Sequence, residues 1–305
     1  MIGLSTSWLT ERPNITGRKV IQEIVTLGFG AMELEYRITE AMFREIHPLI
    51  LREKLKVWSI HNFFPFPHGV PASRGSGDLF LLSSLENEER NKAVEKTIRT
   101  IESAQNLGAS AVVLHLGKVD MSPEYDRLHE LFHHQRLGSP EGRRFLQTKL
   151  RERKEKQRPY LEAVLRSLDR LNREAEKRDV LLGVENRYHY HEIPDFEEIG
   201  QILGRFCGGS VGYWHDVGHA HVQERLGTLQ PGVLLHSYRS KLVGVHLHDA
   251  FGIDDHRAPG TGEIDFCALR ESLQCAQIKI LEVHKKSDRN QLLSGRDMLE
   301  RIGLI

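Results

Sequence analysis

The chain has 305 residues, of which 39% are apolar, and its 42 basic and 42 acidic residues give a formal net charge of zero. This length fits one large α/β domain or two small ones. The charge balance argues against a protein organised around nucleic acid, because phosphate binding usually leaves a basic footprint.

Histidine and cysteine are the two informative residue types. The 17 histidines stand out, since histidine is the commonest metal ligand and a frequent general base. Cys207, Cys267 and Cys275 are odd in number and lack CxxC spacing, which predicts buried thiols rather than a disulfide framework or a zinc knuckle. No apolar run approaches the roughly 18 residues of a membrane span, and the N-terminus has no cleavage signal. We therefore expect a cytoplasmic protein without membrane association.

Short apolar, β-branched runs alternate along the chain with amphipathic stretches. The latter repeat their apolar residues every three or four positions, as between Leu161 and Leu171, a spacing typical of helices. Eight strands alternating with helices favour one closed (β/α)₈ TIM barrel over residues 1–305. The predicted strands are Ile2–Ser5, Ala31–Glu35, Val57–His61, Ser110–His115, Val180–Glu185, Val211–Asp216, Leu242–His246 and Ile278–Val283.

Two connections are longer than the others. We predict long loops after the third strand, at about 62–90, and after the fourth strand, at about 118–158. The first contains FFPFPHGVPASRGSG, which is rich in Phe, Pro and Gly. Because long loops on the catalytic face of a barrel often form lids or substrate walls, Phe63 is a candidate for the wall of a substrate pocket.

Six of the predicted strands end in a residue that can bind a metal ion. In a parallel barrel the carboxyl ends of the strands meet on one face, where the active site lies. We therefore expect these side chains to converge. They are His61, His115, Glu185, Asp216, His246 and Glu282.

Further candidate ligands follow the sixth and seventh strands. His219 lies three residues after Asp216, across a glycine, so both side chains can turn toward one ion at a strand-to-helix bend. Asp254 and His256 form a DxH pair, for which a further metal and substrate hydrogen bonding are equally good interpretations. Carboxylate and imidazole ligands without thiolate suit Zn²⁺, Mn²⁺, Co²⁺ or Mg²⁺, and the sequence does not select among them.

Charged residues near the strand ends suggest how a substrate would be handled. Glu185 and Glu282 would lie on opposite walls of the barrel, where they could bind a cation and still exchange protons with a substrate between them. Arg187 and Arg257 are candidates for holding substrate hydroxyls or a phosphate.

The stretches HDVGHAH and VHLHDAFGIDDHRAPGTGEIDF resemble the xylose isomerase-like TIM-barrel superfamily. It contains sugar and sugar-phosphate isomerases and epimerases as well as endonuclease IV, and the resemblance covers nearly the whole chain. Epimerase-type members bind one divalent ion with Glu, Asp, His and Glu, which implies Glu185, Asp216, His246 and Glu282 as ligands here. The resemblance also implies that the two glutamates move a proton through an enediolate. The leading hypothesis is a divalent-metal-dependent isomerase or epimerase of a small sugar, sugar phosphate or polyol, with one ion and with a homo-oligomer left open.

The same resemblance carries an alternative. Endonuclease IV uses three zinc ions, and every one of its additional ligand positions is filled here by a matching residue type. This implies a multi-zinc phosphodiesterase acting on abasic DNA, holding two or three ions, although the balanced charge makes nucleic acid the less favoured partner. A barrel that binds a ligand without turnover is the third hypothesis. The additional positions correspond to His61, His115, His219, Asp254 and His256.

Overall fold

In the computed structural model, which describes residues 1–71 and 74–305, eight parallel strands close into a barrel. Strands β1 to β7 follow one another around the barrel, and β10 closes it by pairing with both β7 and β1. The single-domain (β/α)₈ barrel predicted from the alternating pattern is thereby confirmed. The barrel strands are β1 Gly3–Ser5, β2 Ala31–Leu34, β3 Lys56–His61, β4 Ala111–Leu114, β5 Leu181–Glu185, β6 Val211–Asp216, β7 Leu242–Leu247 and β10 Ile278–Leu281.

The helices connect the strands and bury their apolar faces against the outside of the barrel. Their ends follow local chemistry: Asp195 and Glu198 form a capping box at the start of α7, and Gly108 ends α4 with a positive φ of 66°. The helices are α1 Ser7–Thr10, α2 Gly17–Thr26, α3 Glu40–Glu53, α4 Asn87–Leu107, α5 Tyr125–His133, α6 Pro140–Glu176, α7 Phe196–Arg205, α8 Val217–Leu226, α9 Val233–Tyr238, α10 Phe266–Leu273 and α11 Arg289–Arg301.

The segment after the fourth strand differs from the prediction. Instead of a loop at about 118–158, the structure has α5 and the first half of the 37-residue helix α6. This half of α6 buries the charged residues Lys149 and Arg153. The first large apolar residue that the whole helix buries is Leu161. The usual apolar periodicity of a helix is therefore missing from the sequence there.

An antiparallel hairpin follows β7 at the mouth of the barrel, and the sequence did not predict it. Its strands are β8 Asp249–Phe251 and β9 Asp254–Arg257. The hairpin carries both residues of the DxH pair.

Inside the barrel, strand residues from opposite walls contact one another in a small apolar cluster that includes Trp214 of β6. Glycines on both neighbouring strands make room for this indole. A Cβ at Gly244 would lie 2.3 Å from Trp214 Cζ3, and one at Gly183 would lie 2.8 Å from Trp214 Cε3. The centroids of the Trp214 and His246 rings are 5.0 Å apart, so this fully buried ring lies directly beneath the catalytic face.

The cysteines contradict the sequence prediction, because Cys207, Cys267 and Cys275 are all exposed free thiols. Each lies on the outer layer of helices and their connections rather than in the core. Among the residues that the structure describes, no helix combines the length and the apolar character that a membrane span requires.

Candidate metal centre and active site

The ends of β5, β6, β7 and β10 bring four predicted ligands together. The candidate ligand atoms of Glu185, Asp216, His246 and Glu282 all lie within 4.8 Å of one another, and all four residues are buried. His246 Nδ1 is 2.7 Å from Glu185 Oε1, 3.0 Å from Glu282 Oε2 and 3.6 Å from Asp216 Oδ2. Three carboxylates thus surround one imidazole nitrogen. We call these four residues the core cluster.

The core cluster attracts positive charge. Burial alone would lower the pKa of His246, but the carboxylates of Glu282 and Glu33 outweigh it and hold that pKa well above its usual value. Burial would raise the pKa of Glu185, yet hydrogen bonds from His115 and His246 keep it well below its usual value. Carboxylates this close together need a cation or a proton among them. The donor set therefore fits a divalent metal ion.

Glu33 is a buried carboxylate beside the core cluster that the sequence reasoning missed. Its Oε2 lies 3.1 Å from His246 Nε2, and because a carboxylate oxygen accepts, the Nε2–H group donates this hydrogen bond. The hydroxyls of Ser5 and Ser59, on the two flanking strands, donate to the same carboxylate at 3.1 and 2.8 Å. Such a partner fixes the ring so that Nδ1 faces the cation site. The sequence signal was a single glutamate inside the apolar run AMEL.

A second group of ligand atoms flanks the core cluster on the β3 and β4 side. His61, His115 and Glu185 form this group. His115 Nε2 is 2.7 Å from Glu185 Oε2, and its other ring nitrogen is 3.1 Å from Asp78 Oδ2. Burial lowers the pKa of His115, but the surrounding carboxylates reverse this and raise it to about 8. Asp78 comes from the long connection after β3, and the sequence reasoning missed it too.

A third group lies on the opposite flank and differs from the predicted set. It contains His219, Asp255 and His256, with Asp255 Oδ2 3.7 Å from His219 Nε2 and 3.0 Å from His256 Nδ1. The structure does not bring Asp254 into it, because that side chain is exposed and pairs with Arg257 and Lys286.

The backbone explains this change of residue. In a regular strand, residues two apart share a face, so Asp254 and His256 of the DxH pair would both have faced the site. His256 has a positive φ of 52°, so the alternation is broken and Asp255 and His256 both face the site.

His248 links the third group to the core cluster. Its Nε2 donates toward both oxygens of Asp216, each at 2.9 Å, while its Nδ1 accepts the backbone N–H of His256 at 2.9 Å. The backbone contact requires the proton on Nε2, so His248 is held as a donor to Asp216. Carboxylate ligands are commonly oriented by such partners.

A cavity of about 370 Å³ opens above these groups, and we call it the mouth. Phe63 and Arg257 are not among the described residues that line it: Phe63 packs edge-on against Phe80 in the core, and Arg257 pairs with Asp254. Arg187 does line it. The lining residues are Tyr36, His61, Ser76, Asp78, His115, Glu185, Arg187, Tyr188, His189, Glu192, His219, Asp255, His256, Glu282 and His284.

A larger cavity lies elsewhere, as a groove of about 720 Å³ on the outer side between α3, α4 and the segment after β3. None of the described residues lining it belongs to the three ligand groups. The smaller mouth is therefore the place where the predicted chemistry converges.

Several solved structures share this fold. A D-tagatose 3-epimerase-like protein is 18% identical with a TM-score of 0.66, covering 99% of this chain and 96% of its own. A 3-keto-D-glucoside 4-epimerase from E. coli is 16% identical with a TM-score of 0.65, covering 98% of both chains. The IolI protein with a bound zinc atom is 14% identical with a TM-score of 0.66, covering 99% of this chain and 97% of its own. At these identities the likeness concerns the fold.

No significant sequence relative is found among curated proteins. A family model described as xylose isomerase-like TIM barrel matches residues 21–302, which confirms the resemblance seen in the sequence. The chain belongs to the xylose isomerase-like TIM-barrel family.

Proposed function

We propose that this protein is a divalent-metal-dependent isomerase or epimerase of a small sugar, sugar phosphate or polyol. The observation that carries the proposal is the approach of Glu185 and Glu282 to the same nitrogen of His246 from different strands. Two carboxylates at one cation site offer both a base and an acid for moving a proton at carbon. The sugar epimerases among proteins of the same fold support this substrate class.

The four residues of the core cluster would hold the ion. When bound, a divalent ion supplies Lewis-acid polarisation of a substrate carbonyl and its neighbouring hydroxyl. Glu185 would remove the proton from the carbon next to the carbonyl, and Glu282, protonated beforehand, would return one from the other side, or the reverse for the other epimer. The substrate passes through an enediolate between the two transfers. The hydrogen bond to Glu33 would hold His246 with its Nδ1 facing the carboxylates of Glu185, Asp216 and Glu282.

The two flanking groups give room for further ions. Each contains three ligand atoms within 4.8 Å of one another, which suits a second or third metal or hydrogen bonds to a substrate. A multi-metal phosphodiesterase is the less favoured alternative, because several solved structures of the same fold are sugar epimerases and the chain has no net positive charge.

Proton exchange at a sugar carbon tests the proposal. We expect protein loaded with Mn²⁺, Co²⁺ or Zn²⁺ to incorporate deuterium from D₂O into at least one ketose of a panel, and chelation followed by dialysis to abolish this. Nuclear magnetic resonance of the sugars measures the exchange, and elemental analysis counts the ions per chain. Metal-loaded protein that exchanges no sugar but cleaves an abasic oligonucleotide would contradict the proposal in favour of the alternative.

A further inference from the structure

The described residues that line the mouth are rich in carboxylates and histidines and include one arginine. Among the described lining residues, Arg187 is the sole Lys or Arg. The uncharged lining residues are Ser76, Tyr36 and Tyr188, and six of the other described ones are histidines. The carboxylates of the lining are Asp78, Glu185, Glu192, Asp255 and Glu282.

The charge of Arg187 is already matched by the protein. Its Nη2 donates to Asp78 Oδ2 at 2.7 Å and to Glu192 Oε1 at 3.1 Å, and its Nη1 lies 3.6 Å from Glu185 Oε2. The side chain is only 4% exposed, so these contacts are poorly screened by solvent. A phosphate entering the mouth would find no unmatched guanidinium and would lie close to several carboxylates.

A divalent ion held by the core cluster would not reverse the negative charge of the carboxylates at the mouth. Glu185, Asp216 and Glu282 carry three negative charges around it, which more than offset one divalent cation. A phosphate group near the mouth would therefore be repelled by the negative charge of the lining carboxylates.

Arg187 nevertheless has N–H groups that could donate hydrogen bonds to a substrate. Its Nε and Nη1 are buried and have no hydrogen-bond partner among the residues that the structure describes. Buried donors without a partner are unfavourable, and these lie in a side chain that lines the mouth next to Glu185. An uncharged oxygen, from a hydroxyl or a carbonyl, would satisfy them without bringing a further negative charge.

We propose that the mouth takes an uncharged ketose or polyol in preference to its phosphate ester, and that Arg187 donates a hydrogen bond to one of the substrate's oxygens. This inference rests on the proposed function and narrows its substrate class. In this proposal Asp78 and Glu192 determine specificity, because they pair with the positive charge of Arg187 that a phosphate would otherwise bind.

The test compares matched neutral and phosphorylated ketoses, such as fructose and fructose 6-phosphate, by deuterium exchange on protein holding one metal ion per chain. We expect kcat/KM for the best neutral ketose to exceed that for its phosphate by about 100-fold or more, as like charges predict. Equal or better exchange into the phosphate would overturn the inference while leaving the proposed function intact. No exchange into either, with the metal bound, would contradict both.

Variants at the mouth make the comparison sharper. Asp78→Asn should raise the ratio of phosphate to neutral kcat/KM about tenfold by freeing part of the guanidinium's charge, and an unchanged ratio would count against the inference. Asp179→Asn is the matched control, since that exposed aspartate lies in the turn before β5 at the opposite end of the barrel.

Arg187→Lys keeps the charge but alters the donors, so it should raise KM for the neutral ketose about tenfold with a smaller change in kcat. An unaltered KM in that variant would remove Arg187 from the binding site.

Discussion

Replacing Glu185 or Glu282 with glutamine is expected to abolish epimerisation, with a loss of about 10²–10⁴-fold from the missing proton transfer alone. Both carboxylates lie within 3.0 Å of His246 Nδ1, so each variant also weakens metal binding. Turnover must therefore be measured at saturating metal, with the bound ion quantified. Glu95→Gln, on the exposed face of α4, is the control and should keep full activity.

The two variants should also differ from each other. With the metal restored, Glu282→Gln keeps the base of Glu185 and should still exchange the proton that faces it, without forming the other epimer. Glu185→Gln should show the mirror behaviour with the opposite epimer as substrate. Full epimerisation by either metal-loaded variant would disprove the assigned roles.

Replacing Glu33 with glutamine should lower the affinity for the metal by about 10- to 100-fold, as loss of a partner that orients a ligating histidine typically does. Glu33 is fully buried and accepts from His246 Nε2 and from two serine hydroxyls. An amide oxygen could still accept from the imidazole, but the charge that supports it would be lost. Competition against a chromophoric chelator measures the dissociation constant.

The experiment separates orientation from general damage to the fold. The visible absorption spectrum of the Co²⁺-loaded variant should shift, because the ligand field changes when the imidazole turns. Ser59→Ala, which removes one of the hydrogen bonds that hold Glu33, should give a smaller effect in the same direction. An unchanged metal affinity in Glu33→Gln would show that Glu33 serves packing rather than the site.

The sequence predicted the barrel well because its strands are buried and end in recognisable side chains. The fourth predicted strand, Ser110–His115, exceeds the observed β4 by one residue at each end. Glu185, Asp216, His246 and Glu282 were placed together because strand ends of a parallel barrel share one face. That argument needs the order of the elements and nothing about their packing.

What the sequence missed depends on three-dimensional contacts. Asp78 lies 37 residues before His115 and 109 residues before Arg187, yet it contacts both. Asp255 replaces Asp254 because one residue with positive φ breaks the strand alternation. Periodicity and motif spacing contain neither kind of information.

The indole that occupies the space between Gly183 and Gly244 has an optical consequence. Because the Trp214 ring centroid is 5.0 Å from that of His246, the excited state of this tryptophan would lie close to an ion that the core cluster holds. Paramagnetic Mn²⁺ or Co²⁺ should quench the fluorescence of Trp214, whereas closed-shell Zn²⁺ or Mg²⁺ should leave it unquenched. The chain therefore carries a built-in fluorophore that reports which class of ion it holds, without label or substrate.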